Sequence, residues 1–218
     1  MTSTPCEPAA PRRAVTVASP AAADAALAAG ADALVFEAVP PRGLVADLRA
    51  RRPGLTIYAA IDGPDDPSLD GLMDWRPDGV LLRDARSGRD VAALGARLAV
   101  CEARAGLPDG ATAILAAIGH PLGVLEARGF AGASPRLAGL GLDGTALAAS
   151  LGGTSLLTQA RGFVRLAAAA AGVAAFEGLT SAELRSPERL AAARQDGFEW
   201  VVARDPAAVA AGPREGAG

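Results

Sequence analysis

ATAILAAIGHPLGVLEARGFAGASPRLAGLGLDGTALAASLGG, residues 111–153, is the stretch that decides the fold. It reads as strand, turn, helix, strand, turn, helix. Apolar runs at 111–118 and 137–142 are each followed by helix-forming sequence, and Gly152-Gly153 closes the second helix. The turns Ile118-Gly119-His120-Pro121 and Leu142-Asp143-Gly144-Thr145 put polar residues where the strands stop. In parallel α/β proteins, chemistry is placed at the carboxyl ends of strands.

The same alternation extends in both directions. Strands are expected at 14–18, 32–39, 55–61, 79–82, 173–176 and 200–203, in addition to the two above. Helices are expected at 21–29, 44–51, 68–75, 88–105, 155–171 and 187–195, and the long one at 88–105 carries Leu94, Leu98 and Cys101 on one face. Eight strands, each followed by helix-forming sequence, predict an α/β fold, a closed (β/α)8 TIM barrel with a shortened C-terminal end. An open doubly wound sheet is the alternative. Residues 1–12, Pro-rich, are expected to be a disordered tail, 13–210 a single barrel domain and 211–218 a flexible tail.

Composition narrows the function. Half of the 218 residues are hydrophobic (50%) but only 4% are aromatic, so the core must be built from Ala, Val and Leu. The formal charge of −3 gives no footprint for nucleic acid or an anionic membrane, and no apolar run is long enough for a membrane span. Every basic residue is Arg, which removes Schiff-base aldolase and pyridoxal-phosphate chemistry, because both need a lysine amine. Cys6 and Cys101 show no paired spacing, so neither a disulfide framework nor a Cys metal site is indicated, and a cytoplasmic location is expected.

The wording of the segments is also recognisable. GADALVFEAV (30–39), RPDGVLLRDARSGRDVAAL (76–94), EARAGLP (102–108), the 118–124 and 143–152 turns, AAGVAAFEGLTSAELRSPERLAAARQDGF (170–198) and WVVARDPAAV (200–209) occur in the right order for one family. Together they resemble the HpcH/HpaI aldolase and citrate lyase β-subunit (CitE-like) family, most of all its citrate lyase branch. That resemblance implies a TIM-barrel carbon–carbon lyase using Mg²⁺. It further implies a metal-binding Glu after strand five, a metal-binding Asp after strand six, and a small carboxylate or acyl-CoA substrate. It also suggests a homo-oligomer.

The chain departs from that pattern where the chemistry lies. Gly119 stands at the metal-binding Glu position and Ala146 at the metal-binding Asp position. The strand-three Arg position falls near Ala60, and the strand-four Pro-Lys has become Arg83-Asp84. The surviving polar groups are therefore the candidates. His120, the only histidine, is either a general base or metal ligand, or a turn residue ahead of Pro121 at a helix start. Asp143 is either a displaced ligand or an ordinary turn and N-cap. Glu37 and Glu177 close strands two and seven, which a barrel would aim at one mouth, although Glu177 can also simply cap the turn before Gly178. In this reading His120 and Glu37 are catalytic, and Asp143 and Glu177 are the replacement metal ligands. Arg83 and Arg204 would fork onto substrate, unless they pair with Asp84 and Asp205 as rim salt bridges. The Gly-rich run at 140–153 lacks the Lys of a phosphate loop.

Two functions follow. One is a degenerate, non-catalytic or altered family member. The other is a divalent-metal-dependent lyase acting on citryl- or malyl-CoA-like substrates with Mg²⁺ on replacement ligands.

Overall fold

A computed structural model describes residues 11–184 and 186–203. Eight parallel strands, each hydrogen-bonded to the next, close into a barrel in the order β1 to β8. They are β1 Arg12–Val17, β2 Ala33–Phe36, β3 Thr56–Ile61, β4 Gly79–Leu82, β5 Ala113–Ile118, β6 Leu137–Asp143, β7 Ala174–Leu179 and β8 Trp200–Ala203. Closure removes the open doubly wound sheet: β8 pairs directly with β1 through Ala14 and Val202. The helices α1 Pro20–Ala28, α2 Leu44–Arg51, α3 Gly88–Arg104, α4 Pro121–Leu125, α5 Gly144–Leu151, α6 Leu157–Ala171, α7 Ser181–Leu184 and α8 Pro187–Gln195 form the outer layer. Among the described residues, no helix is long and apolar enough to cross a membrane. The expected shortened end after β8, most of the N-terminal tail and the whole C-terminal tail lie outside the described residues, and Arg12 already belongs to β1.

Strand alternation divides the core in two. Outward residues such as Leu34, Ile57, Leu82, Ile114 and Ile118 are fully buried against the helices. That layer also takes the α3 face, where Leu94 and Leu98 are 0% exposed and Cys101 8%. Inward positions are mostly small, and the space is filled by a few large groups, among them Tyr58 and Phe176. These two rings lie against glycines of the neighbouring strand. A Cβ on Gly79 would stand 2.8 Å from Tyr58 Cε1, and one on Gly141 would stand 2.2 Å from Phe176 Cδ2. With so few aromatic residues available, glycine next to each ring lets a narrow barrel close around it.

Helix starts follow their caps. Ser19 Oγ accepts from Ala22 N at 3.2 Å, Asp90 accepts from Ser87 N at 3.0 Å, and Ser186 Oγ accepts from Arg189 N at 3.1 Å. The helix expected at 68–75 is tighter than anticipated, a 3-10 helix over Pro67–Asp74, and a second 3-10 turn, Ala127–Phe130, follows the short α4.

A buried ion pair ties α3 to the amino ends of β5 and β6. Arg136 forks onto Glu102, Nη1 to Oε1 and Nη2 to Oε2 at 2.7 Å each, with side-chain exposures of 5% and 0%. Glu102 also accepts from Thr112 N (2.7 Å) and Gly110 N (2.9 Å). Burial works against ionisation of Glu102. The Arg136 bond and those from Thr112 and Gly110 outweigh it and hold the carboxyl below its usual range. A depressed folded pKa adds stability above the unfolded value and loses it as pH falls through the folded one. Glu102→Gln should therefore cost about 3–5 kcal/mol, since it leaves the buried Arg136 with only the exposed Asp109 as counter-charge. Urea unfolding should also show the native protein losing stability below about pH 4.5 more steeply than the variant. Parallel pH curves would contradict this.

Candidate active site at the barrel mouth

The carboxyl ends of the strands surround a cavity of about 280 Å³, floored by Phe176 and walled by Thr16, Glu37, Arg83, Asp143, Thr145 and Thr180 among others. Glu37, Arg83 and Asp143 arrive there because they continue the inward-facing positions of β2, β4 and β6. Arg83 is the organising group. Its Nε and Nη2 both reach Asp62 Oδ1 at 2.7 Å, and Nη1 stands 3.8 Å from Glu37 Oε1. The expected Arg83–Asp84 pair does not form. Asp84 has a left-handed backbone (φ 50°), which turns its carboxylate away to Arg86 at 2.9 Å. A non-glycine residue in that conformation at a strand end is a strained position of the sort found around ligand sites.

Asp143 is part of the mouth and also the N-cap of α5, where Oδ1 accepts from Ala146 N at 3.0 Å. His120 does not line the cavity. It is the N-cap of α4, its Nδ1 accepting from Leu122 N at 3.1 Å, with Pro121 at the first helical position. Arg204 and its expected partner Asp205 lie outside the described residues.

Glu177 stands elsewhere. Strand β7 does not end at Phe176 but runs on to Leu179, with Gly178 pairing to Asp143 and Val202. Phe176 faces the barrel axis, so Glu177 faces outward, at the register level of Leu142, which itself pairs with Ile118. The carboxylate is 3% exposed between Arg161 (Nε to Oε1, 2.9 Å) and Arg189. The mouth thus gathers Glu37, Arg83 and Asp143, and leaves out His120 and Glu177. Asp62, which sequence reading passed over as a site residue, joins the mouth through Arg83, and its only signal was its position directly after strand three. Asp84 stays beside Gly119 and pairs with Arg86.

The two positions at which the family resemblance places metal ligands are neighbours in space. A Cβ on Gly119 would lie 2.8 Å from Ala146 Cβ, 3.7 Å from Asp143 Cβ and 3.7 Å from Asp84 Oδ1. The α5 start has closed over the room that a side chain at 119 would need. Among the described residues, no group of three or more His, Cys, Asp or Glu is arranged to hold a metal ion. The donor set does not fit a divalent ion. Glu37 faces Arg83, Asp143 caps α5 and Glu177 is turned away.

The fold and mouth define a class, the (β/α)8 barrels with a polar cavity at the carboxyl ends of their strands. Within it, the structural neighbours are HpcH/HpaI aldolase and citrate lyase family proteins. An HpcH/HpaI aldolase from Desulfitobacterium hafniense superposes with a TM-score of 0.71 at 13% identity, over 89% of this chain and 86% of that one. A HpcH/HpaI aldolase/citrate lyase family protein from Burkholderia cenocepacia gives 0.72 at 15%, over 91% and 90%. Malate synthase of Haloferax volcanii, in a magnesium/glyoxylate complex, gives 0.74 at 15%, over 95% and 77%. At these identities the likeness is one of fold. No protein-family model and no curated protein matches the sequence.

The packing at 119 can be tested directly. Gly119→Ala should destabilise the protein by about 1–3 kcal/mol through overpacking against Ala146. In an Ala146→Gly background most of that cost should vanish. Equal denaturation-midpoint shifts in the two backgrounds would show that the 119–146 contact is not its source.

Proposed function

We propose that this chain is a divergent member of the HpcH/HpaI aldolase and citrate lyase β-subunit-like group. Its barrel mouth takes a small carboxylate on Arg83 without the divalent ion that the family pattern implies. The observation that carries the reading is the pair Gly119 and Ala146, whose Cβ positions lie too close for two acidic side chains. A cavity of about 280 Å³ suits a ligand of a few carbons. Arg83 is steadied by Asp62 and Glu37, and the Thr16 and Thr145 hydroxyls add hydrogen-bonding capacity around the ligand. Cleavage next to a carbonyl needs a positive centre at the developing enolate. Among the described residues Arg83 is the cation lining the mouth and is already drawn to two carboxylates, and the chain has no lysine for a covalent route. Binding, or an altered activity, is therefore favoured over the parent lyase reaction.

The second reading is a metal-dependent carbon–carbon lyase acting on a citryl- or malyl-CoA-like thioester. It draws on the approach of Asp84 and Asp143 to the same point beside Gly119, with Asp84 held in a strained backbone.

Calorimetry on the full chain with EDTA present separates the two. The proposal expects malonate to bind and Arg83→Gln to weaken it about tenfold, the loss of one charge-assisted contact. Magnesium-dependent cleavage of a citryl or malyl thioester that disappears in Asp143→Ala would overturn it.

A further inference from the structure

A second cavity, of about 580 Å³, lies on the outer side of β7 between α6 and α8. It shares Thr145, Gly178 and Thr180 with the wall of the mouth cavity. Two arginines, Arg161 and Arg189, and two glutamates, Glu177 and Glu183, line it. Arg161 Nε and Arg189 Nη2 both donate to the same oxygen, Glu177 Oε1. Three buried atoms then have no hydrogen-bond partner among the described residues: Arg161 Nη2, Arg189 Nη1 and Glu177 Oε2.

A purely structural network in this same protein looks different. The Glu102–Arg136 pair uses both carboxylate oxygens and both terminal nitrogens, and none of its buried atoms lacks a partner. Leaving three buried charged-group atoms unmet costs stability at each of them. The remaining contacts at the second cavity hold the arginines still without completing them. Arg161 stacks on Phe198 at 4.9 Å and Nη1 reaches Asp196, and Arg189 Nε reaches Glu183 at 3.4 Å. Glu183 is itself occupied by Thr180, whose backbone N and Oγ1 each donate to Oε2 at 2.8 Å. Asp196 and Glu183 are 52% and 39% exposed, so solvent screens them. Of the two glutamates that line the cavity, Glu177 is the buried one, and both guanidinium groups share its Oε1.

We propose that this cavity is a binding subsite for an oxyanion that carries its own O–H group, such as hydrogen phosphate or a 2-hydroxycarboxylate. The anionic oxygens accept from Arg161 Nη2 and Arg189 Nη1, and the ligand hydroxyl donates to Glu177 Oε2. The three unmet atoms are then satisfied in one step. Because the cavity adjoins the mouth, the subsite is placed to hold the anionic end of a ligand that reaches the barrel axis. The proposal does not depend on whether the mouth is catalytic.

Calorimetry on the full chain with inorganic phosphate, glycolate and acetate, in turn, is the test. Phosphate or glycolate should bind, and whichever does so identifies the source of the oxyanion. Acetate, lacking the hydroxyl, should bind about tenfold more weakly than glycolate. Arg161→Lys and Arg189→Lys keep a charge on Glu177, and so the fold, but remove the second nitrogen. Each should lower affinity about tenfold. Arg165→Gln, one turn along α6 and outside the cavity, should not. No heat with phosphate or glycolate, equal affinity for acetate and glycolate, or unchanged binding in both lysine variants would overturn the proposal. If binding is lost only in Arg83→Gln, the ligand sits at the mouth. The second-cavity proposal then falls while the mouth reading stands.

Discussion

The ring of Phe176 lies inside the barrel because β6 offers it glycine. A Cβ at Gly141 would fall 2.2 Å from the ring, so the aromatic side chain and its bare neighbour fit only together. That contact sets the parity of β7, since a one-residue slip would exchange every side chain between the two faces. With Phe176 inward, Glu177 must point to the helices and Gly178 to the axis. The cavity floor, the loss of Glu177 from the mouth and the charged cluster between β7, α6 and α8 all follow from this one packing choice.

At the mouth itself, the carboxylates have been drawn to other tasks. Asp62 and Glu37 stand around Arg83, Asp143 starts a helix, and Asp84 pairs with Arg86. Each is satisfied by a protein group, which makes it a poorer partner for a hard cation than the clustered oxygens such an ion needs. The contact between the Gly119 and Ala146 positions closes the remaining room. The scaffold is a closed (β/α)8 barrel, and the mouth is organised around a guanidinium.

Much of the architecture was legible because it rests on local signals. The eight apolar runs, the Leu94–Leu98–Cys101 face and the helix end at Gly152 (φ 68°) depend on periodicity and backbone freedom that the sequence carries on its surface. The site was less legible because it depends on parity and on contacts distant in sequence. Gly178 reads as a turn, yet it lies within β7, and the parity fixed by the inward Phe176 puts Glu177 in the outer layer. Arg83 was expected beside Asp84 in sequence and instead finds Asp62 across the strand ends. Arg161 and Arg189 gave no sign of their role, since nothing in a helical arginine marks which buried carboxylate it will meet. The two substituted ligand positions were visible from the resemblance. That a side chain at 119 would run into Ala146 was not.

The central proposal is that the mouth takes its ligand on Arg83 without a divalent metal. A titration of Mn²⁺ against the full chain, followed by the paramagnetic resonance signal of the free ion, tests it most directly. The account predicts that a molar excess of protein leaves that signal unchanged, with or without a small carboxylate present. Stoichiometric loss of the signal that is abolished by Asp143→Ala would contradict it.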